Sequence, residues 1–253
     1  MRLKGRVAIV TGGGKGIGRH YVLGLAAEGA SVVVAEIDAA AAQDAAKEVQ
    51  TKGGRALAVP TDVSDEASVK AMVERTIETF GRADVLVNNA AVFAAVSYTR
   101  GPHDKISVNE WDRMFAVNVR GVWLCCKEVI PHMRQQGYGK IINISSGTAW
   151  IGTPYVLHYV TSKAAVAGLS RALAREVGEH GIRVNSLAPG LTESETFAPL
   201  LDERQRQAAI QGRILQRAEV PEDLVGTIVF LASAESDFIT GQTIFVNGGA
   251  YLT

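Results

Sequence analysis

The chain alternates between short apolar runs and longer segments in which apolar residues recur at helical spacing. The apolar runs have the length of β-strands and are rich in valine and isoleucine; they cover residues 6–11, 31–36, 55–60, 83–89, 140–146, 182–188 and 243–249. The segments between them follow the helical period, and several end at glycine, as at 17–29, 38–53 and 64–81. Strands that alternate with helices favour an α/β fold, and we predict a doubly wound, mostly parallel seven-stranded sheet with helices on both faces.

No feature divides the chain into separate domains. The sequence contains no repeat, low-complexity tract or linker, and its 253 residues can form one α/β domain with a full core. Residues 190–220 show the weakest pattern and are rich in polar side chains. We therefore predict one domain over residues 1–253, with a mobile segment around residues 190–215 that acts as a lid over a substrate site.

A glycine-rich turn, TGGGKGIG at residues 11–18, follows the first strand. Its spacing differs from the phosphate loop G-x-x-x-x-G-K-[ST], because Gly16 is followed by Ile17 and Gly18. It also differs from G-x-G-x-x-G, because Lys15 and Ile17 fall where that register needs glycine. A strand, a glycine turn and a helix still place free N–H groups and the positive end of a helix dipole at the turn. A turn that only redirects the chain is the alternative; we favour a phosphate-binding turn in a Rossmann-like unit.

Charge and composition argue against several classes of function. Lys plus Arg and Asp plus Glu both number 26, so no net charge attracts nucleic acid or an anionic membrane surface. No stretch approaches the ~18 apolar residues of a membrane-spanning helix, and the N-terminus lacks the apolar core of a signal peptide. Cys125 and Cys126 have no C-x-x-C partner, and the histidines lack metal-ligand spacing. We expect a cytoplasmic protein with buried thiols and without a metal site, a nucleic-acid partner or a membrane partner.

Polar side chains stand at the ends of the predicted strands. Glu36 ends the second strand, Asp62 follows the third, Asn89 ends the fourth and Ser146 ends the fifth. Each could be a simple polar cap. The carboxyl ends of parallel strands meet at one edge of a sheet, so these polar side chains are expected to lie close together beside the glycine turn. This arrangement favours a shared ligand cleft.

These motifs resemble those of the short-chain dehydrogenase/reductase family, and the resemblance runs along the whole chain. The turn at 11–18 resembles the family's TGxxxGxG, residues 88–91 (NNAA) resemble its NNAG stretch with the last glycine replaced, and residues 159–163 (YVTSK) resemble its YxxxK motif. Ser146, thirteen residues before Tyr159, makes the match specific.

The resemblance implies a nicotinamide cofactor and a catalytic set. The implied catalytic residues are Asn118, Ser146, Tyr159 and Lys163, with Asn118 expected to hold a water that links Lys163 to solvent. The implied cofactor-binding residues are Gly12, Gly14, Lys15, Gly16, Ile17, Gly18, Glu36, Asp62, Val63, Asn89, Tyr159, Lys163, Pro189, Gly190, Thr192 and Ser194.

The spacing of Tyr159 and Lys163 suits proton transfer to or from an alcohol oxygen. The two residues are four apart in a helical segment, so both side chains lie on one face. A phenol with its ordinary pKa is a poor base at neutral pH, and a nearby ammonium would favour the phenolate. We therefore expect Lys163 to lower the pKa of Tyr159, and Ser146 to position the substrate oxygen.

The residues near the adenosine end of the expected cofactor favour NAD over NADP. Glu36 stands where an acid can accept hydrogen bonds from both ribose hydroxyls and would repel a 2′-phosphate. Lys15 stands where some NADP-using relatives carry a basic residue. We expect NAD, with Asp38 as a second candidate for the ribose contact.

The stretches near the catalytic residues are nearly all apolar and offer no charge. The residues expected to line the substrate pocket are Phe93, Ala95, Thr148, Trp150 and Tyr155. Such a pocket favours an uncharged hydrophobic or aromatic secondary alcohol or ketone. Sugars and 3-oxoacyl groups on a carrier protein stay open as substrates, the latter because Arg134, Lys140 and Arg183 offer nearby cations.

Other classes of function also stay open. A nucleotide-binding regulatory protein without turnover is disfavoured because Ser146, Tyr159 and Lys163 are all present. A lyase or epimerase with a bound nucleotide cofactor is disfavoured because larger relatives of that kind carry an extra substrate domain. The resemblance implies assembly through the helices around 107–134 and 155–179, so we expect a homotetramer, with a homodimer as the alternative.

Overall fold

A parallel sheet of seven strands forms the centre of the molecule. The computed structural model describes residues 1–93 and 98–252. The strands are β1 (Val7–Thr11), β2 (Ser31–Glu36), β3 (Arg55–Pro60), β4 (Val85–Asn88), β5 (Gly139–Ile144), β6 (Ile182–Pro189) and β7 (Thr243–Val246). Their order is β3-β2-β1-β4-β5-β6-β7, and every neighbouring pair is parallel. The predicted fold class is confirmed.

Helices cover both faces of this sheet. The α-helices of the described chain are α1 (Gly16–Ala27), α2 (Ala39–Thr51), α3 (Glu66–Phe80), α4 (Val108–Phe115), α5 (Gly121–Gln136), α6 (Thr148–Ile151), α7 (Leu157–Val177), α8 (Glu203–Gln211) and α9 (Glu222–Ala232). A π-helical turn, Ala116–Arg120, joins α4 to α5.

Alternate side chains of each strand enter two separate hydrophobic clusters. In β2, Val32 and Val34 pack into the cluster on one face, and Val33 and Ala35 pack into the cluster on the other. A strand that is buried on both faces needs apolar residues at every position rather than at alternate ones. This requirement explains why the strands appear in the sequence as continuous apolar runs.

The chain reverses its direction of winding between β1 and β4, which are neighbours at the centre of the sheet. From β1 the chain moves outward to β2 and β3, and it then returns to place β4 on the other side of β1. The connections that follow β1 and β4 therefore diverge to opposite faces and leave a crevice at the carboxyl ends of the strands. The glycine turn at 11–18 lies at this crevice.

The region of weak sequence pattern, 190–220, contains an unpredicted helix. The α-helix α8 begins at a capping box formed by Asp202 and Gln205. None of the side chains of α8 is buried, so the helix carries no apolar stripe from which the sequence could predict it.

The described ranges bear on one expected feature and leave another outside them. No helix in residues 1–93 and 98–252 is long and apolar enough to cross a membrane. Ala95, expected in the substrate pocket, lies in residues 94–97, outside the described ranges.

Candidate active site

A large cleft lies at the carboxyl edge of the sheet and runs from the glycine turn to the start of α7. Its volume is about 1010 Å³, at the upper end of the range for small-molecule sites. Of the residues expected to bind the cofactor, all except Gly14 line this cleft. The Gly14 amide instead donates a hydrogen bond to Glu36 Oε2 at 3.2 Å, which fixes the carboxylate of Glu36 against the turn.

The glycine turn is held in shape by the end of β4. Asn89 Nδ2 donates to the carbonyl oxygens of Thr11 and Gly12, each at 3.0 Å. Thr11 Oγ1 accepts in return from the backbone amides of Asn89 and Ala90. A Cβ atom on Gly18 would overlap the Gly12 carbonyl, so glycine is required there for the helix to approach the turn.

The N-terminus of α1 accepts a carboxylate from another part of the chain. The Gly16 amide donates to Glu195 Oε1 at 2.6 Å, and Glu195 belongs to the 190–215 segment. This contact demonstrates that the amide at the turn is free of the sheet and favours an anion, as expected for a helix N-terminus.

Two acids and one lysine stand at the end of β2. Lys15 Nζ pairs with Asp38 Oδ2 at 2.6 Å, and Asp38 also caps α2 by accepting from the amides of Ala40 and Ala41. Glu36 forms no ion pair within the described residues. The charge of Lys15 is therefore balanced by Asp38, while Glu36 leaves this end of the cleft negative.

Ser146, Tyr159 and Lys163 converge on one wall of the cleft. Ser146 follows β5, and the other two lie one turn apart on α7. Lys163 Nζ donates to the Ile144 carbonyl at 2.8 Å and lies 5.8 Å from the centre of the Tyr159 ring. Ser145 Oγ donates to the Lys163 carbonyl at 2.8 Å, so α7 is hydrogen-bonded to the strand end at two points.

The expectation that Lys163 lowers the pKa of Tyr159 is wrong for this site. Burial of the phenol raises the pKa of Tyr159, and the opposing hydrogen bond with Ser146 and the charge of Arg100 do not reverse that shift. Burial also lowers the pKa of Lys163 to about 8. The reason is that both groups are withdrawn from water, which disfavours the charged form of each.

Asn118 lies behind the cleft rather than in its lining. It sits in the π-helical turn, where its Oδ1 accepts from the Val92 amide at 2.7 Å and its Nδ2 donates to Ser162 Oγ at 3.1 Å. These bonds connect the segment after β4 to α7, next to Lys163. The expected water-mediated role of Asn118 stays a prediction.

The substrate end of the cleft differs from the expectation at several positions. Of the residues expected there, Phe93 and Thr148 lie in the lining of the cleft. Trp150 does not, because it packs edge-on against Phe245 with ring centres 4.8 Å apart. Tyr155 does not either: its side chain is exposed.

Three arginines and three aromatic residues in the lining were missed by the sequence analysis. The cleft is also lined by Tyr98, Arg100, Arg113, Phe197, Arg213 and Tyr251, so the expectation of a pocket without charge is wrong. Arg100 and Tyr98 lie beyond the NNAA stretch in a segment without periodic pattern, and Arg113 lies on α4. Only the folded chain brings them to the cleft.

The comparison with known proteins agrees with the geometry. Residues 12–251 match a family model described as enoyl-(acyl carrier protein) reductase. The chain is 38% identical, over 100% of its length and 99% of that protein, to the (2S)-[(R)-hydroxy(phenyl)methyl]succinyl-CoA dehydrogenase subunit BbsD of Thauera aromatica. The chain belongs to the short-chain dehydrogenase/reductase family.

Other members of the family are similarly close. The chain is 39% identical to the 3-oxoacyl-[acyl-carrier-protein] reductase FabG of Staphylococcus aureus, over 97% of this chain and 98% of that protein. A solved structure of 7α-hydroxysteroid dehydrogenase, in complex with NADH and 7-oxo-glycochenodeoxycholic acid, matches with a TM-score of 0.93 and 33% identity over 98% of this chain and 95% of that chain.

The residues of the cleft fit the nicotinamide cofactor that this family uses. The negative end at Glu36 offers acceptors for ribose hydroxyls, and the Gly16 amide, which takes a carboxylate, offers a donor to a phosphate. In the described residues, no group of three or more His, Cys, Asp or Glu side chains could hold a metal ion.

The glycine turn yields a stability prediction. We expect Gly18→Ala to lower the free energy of unfolding by about 1–3 kcal/mol, because the added Cβ meets backbone that cannot move aside. Gly178→Ala is the matched control: its backbone is helical (φ −59°, ψ −38°) and its Cβ would enter open space, so a small gain of about 0.5 kcal/mol is expected. Urea unfolding at one fixed protein concentration measures both, and equal effects would contradict the role of Gly18.

Proposed function

We propose that this protein is an NAD-dependent oxidoreductase that interconverts a secondary alcohol and a ketone whose reacting part is hydrophobic or aromatic. The observation that carries the proposal is the convergence of Ser146, Tyr159 and Lys163 on one wall of a cleft whose other end is the glycine turn. Two relatives support the substrate class. BbsD is named for a hydroxy(phenyl)methyl compound, and the hydroxysteroid dehydrogenase was solved with a 7-oxo compound.

In this proposal the chain's own residues position the substrate and move one proton. A bound nicotinamide cofactor would supply the hydride acceptor for oxidation of the alcohol and the hydride donor for reduction of the ketone. Ser146 donates a hydrogen bond to the substrate oxygen and fixes its place in the cleft. Tyr159 removes the hydroxyl proton during oxidation and returns it during reduction. Lys163, held by the Ile144 carbonyl, keeps the polar groups of α7 in register with the strand end.

The alternative of a 3-oxoacyl-carrier-protein reductase has less support from the surface charges. Lys140 is buried and pairs with Asp237 at 2.8 Å, and Arg183 donates to the carbonyls of Asp237 and Gly181. Of the three cations that could dock an acidic carrier, Arg134 is the one not engaged in these contacts. A small free substrate is therefore our proposal.

We propose that the enzyme works as a homotetramer in the cytoplasm, with the 190–215 segment as a lid. The helices α5 and α7 expose Trp123 and Leu157, large apolar side chains that a partner subunit would cover. Cys125 and Cys126 are free and buried, as in proteins of a reducing compartment. The hydrogen bond from the Gly16 amide to Glu195, which joins this segment to the glycine turn, supports the assignment of a lid.

If Tyr159 transfers the proton, removing its hydroxyl should lower the turnover rate without weakening cofactor binding. We expect Tyr159→Phe to lower kcat for alcohol oxidation by at least about 100-fold, because the ring remains and only the proton carrier is removed. NADH affinity, measured by fluorescence titration, should change by less than about threefold. Tyr155→Phe removes a hydroxyl from an exposed tyrosine outside the cleft and serves as the control. A Tyr159→Phe enzyme with near-normal kcat would refute the proposal.

The charges at the end of β2 predict the cofactor preference. We expect kcat/KM with NAD to exceed that with NADP, because Glu36 opposes a 2′-phosphate and Asp38 neutralises Lys15. Glu36→Ser should shift the ratio of the two kcat/KM values toward NADP. Asp38→Asn should do the same, since it keeps an oxygen that caps α2 but releases the charge of Lys15.

A distant acid supplies the control for these two variants. Glu78→Ser removes an exposed carboxylate on α3, outside the cleft, and should leave the ratio unchanged. Wild-type enzyme that uses NADP as efficiently as NAD would show that this reading of Glu36 and Asp38 is mistaken.

A further inference from the structure

The substrate end of the cleft carries a cation for which the proposed reaction has no use. The guanidinium of Arg100 lies 5.1 Å from the ring centre of Tyr98 and 5.7 Å from that of Phe197. Arg100 is exposed at the cleft, which it lines, and forms no ion pair with any residue in the described ranges. Arg113, on α4, is also exposed, lines the same cleft and is likewise without an ion pair among the described residues.

Arg100 lies close to the reacting group through a cluster of aromatic rings. The Phe93 ring is stacked on the Tyr159 ring at 4.9 Å and lies 4.8 Å from the Phe197 ring. The Tyr98 ring lies 6.3 Å from that of Tyr159. The guanidinium rests on two members of this cluster, so it stands about one aromatic side chain away from Tyr159.

The backbone on both sides of Arg100 is fixed. The amide and hydroxyl of Thr99 both donate to the carboxylate of Glu110, which also contacts the buried ring of His158 at 3.3 Å. On the other side, the Gly101 amide donates to the Tyr155 carbonyl at 2.9 Å. The negative charge of Glu110 is thus occupied by Thr99 and His158, and the guanidinium of Arg100 is presented to the cleft from a fixed point.

The distribution of charge in the cleft is uneven. The acidic residues of the lining are Glu36, Asp38 and Asp62, and all of them belong to the end near the glycine turn. The arginines of the described lining are Arg100, Arg113 and Arg213; Arg213 is paired with Glu219 at 3.7 Å, and Arg100 is the one that rests on the aromatic cluster. A neutral substrate would leave Arg100 unpaired, whereas a carboxylate would match the planar fork of its guanidinium with two N–H donors.

We propose that the substrates of this enzyme carry a carboxylate that binds to Arg100, while the adjoining aromatic or apolar part lies against Phe93, Tyr98 and Phe197. This inference rests on the proposed alcohol/ketone chemistry and names the substrate class for it. It assigns Arg100 as the residue that selects acids over neutral compounds of the same shape.

Pairs of ketones that differ only in charge test the assignment. 3-Benzoylpropionate and 4-acetylbenzoate are each compared with their methyl esters, in reduction by the full chain with NADH. We expect kcat/KM for the acid to exceed that for its methyl ester by about tenfold or more, mainly through a lower KM, in at least the pair whose distance between ketone and carboxylate suits Arg100. Arg100→Met should abolish this preference while leaving the esters within about threefold of wild type. Arg75→Met removes an exposed arginine of α3 outside the cleft and should keep the preference.

The outcomes separate the inference from the proposed function. Wild-type enzyme that reduces both esters as well as both acids, or an Arg100→Met enzyme that still prefers an acid, would overturn the assignment of Arg100. If Arg100→Met does not fold, Arg100→Gln provides the same comparison with a polar side chain.

If no ketone of any charge is reduced, the proposed function fails, and calorimetry of benzoate and methyl benzoate then tests Arg100 directly. Binding of benzoate that is lost in Arg100→Met supports the assignment, and equal binding of both compounds refutes it.

Discussion

The polar seam between α7 and the end of β5 is the constraint on which the site depends. Lys163 donates through its side chain to the Ile144 carbonyl and accepts through its own carbonyl from Ser145. Deeper in the sheet, Ser170 continues the seam, accepting from Asn143 Nδ2 and from Ser186 Oγ. A helix held at successive turns cannot slide along the strand. Tyr159, one turn before Lys163, is therefore kept above Ser146, which follows the same strand.

This seam also sets the electrostatics of the site. It places the ammonium of Lys163 and the phenol of Tyr159 where water is excluded, so burial disfavours the charged form of each, raising the pKa of Tyr159 and lowering that of Lys163. Arg100 stands at the exposed rim of the same cleft, where its guanidinium has no ion-pair partner among the described residues.

The sequence could predict those parts of the molecule that follow from local pattern. The seven strands appear as continuous apolar runs because both faces of each are covered, and Ser146 was identifiable because it follows such a run at the edge where ligands bind. The glycine turn was identifiable because its glycines stand between a predicted strand and a predicted helix.

Other features depend on the folded chain. Trp150 lies two residues from Thr148 yet turns away from the cleft to meet Phe245 on β7, and the sequence contains no signal for that direction. The shift of the Tyr159 pKa was predicted with the wrong sign, because its cause is burial rather than the neighbour one turn along the helix. Arg100 lies in a segment without periodicity, so its approach to the aromatic cluster could not be predicted.

The pH dependence of alcohol oxidation tests the central claim most directly, since the claim is that a buried tyrosine with a raised pKa removes the proton. Oxidation needs the deprotonated phenol, and its fraction grows as pH rises toward the raised pKa of Tyr159. The account predicts that kcat/KM for alcohol oxidation with NAD rises continuously between about pH 6 and about pH 10, while kcat/KM for ketone reduction does not rise over the same range. An oxidation rate that is independent of pH across this range would contradict it.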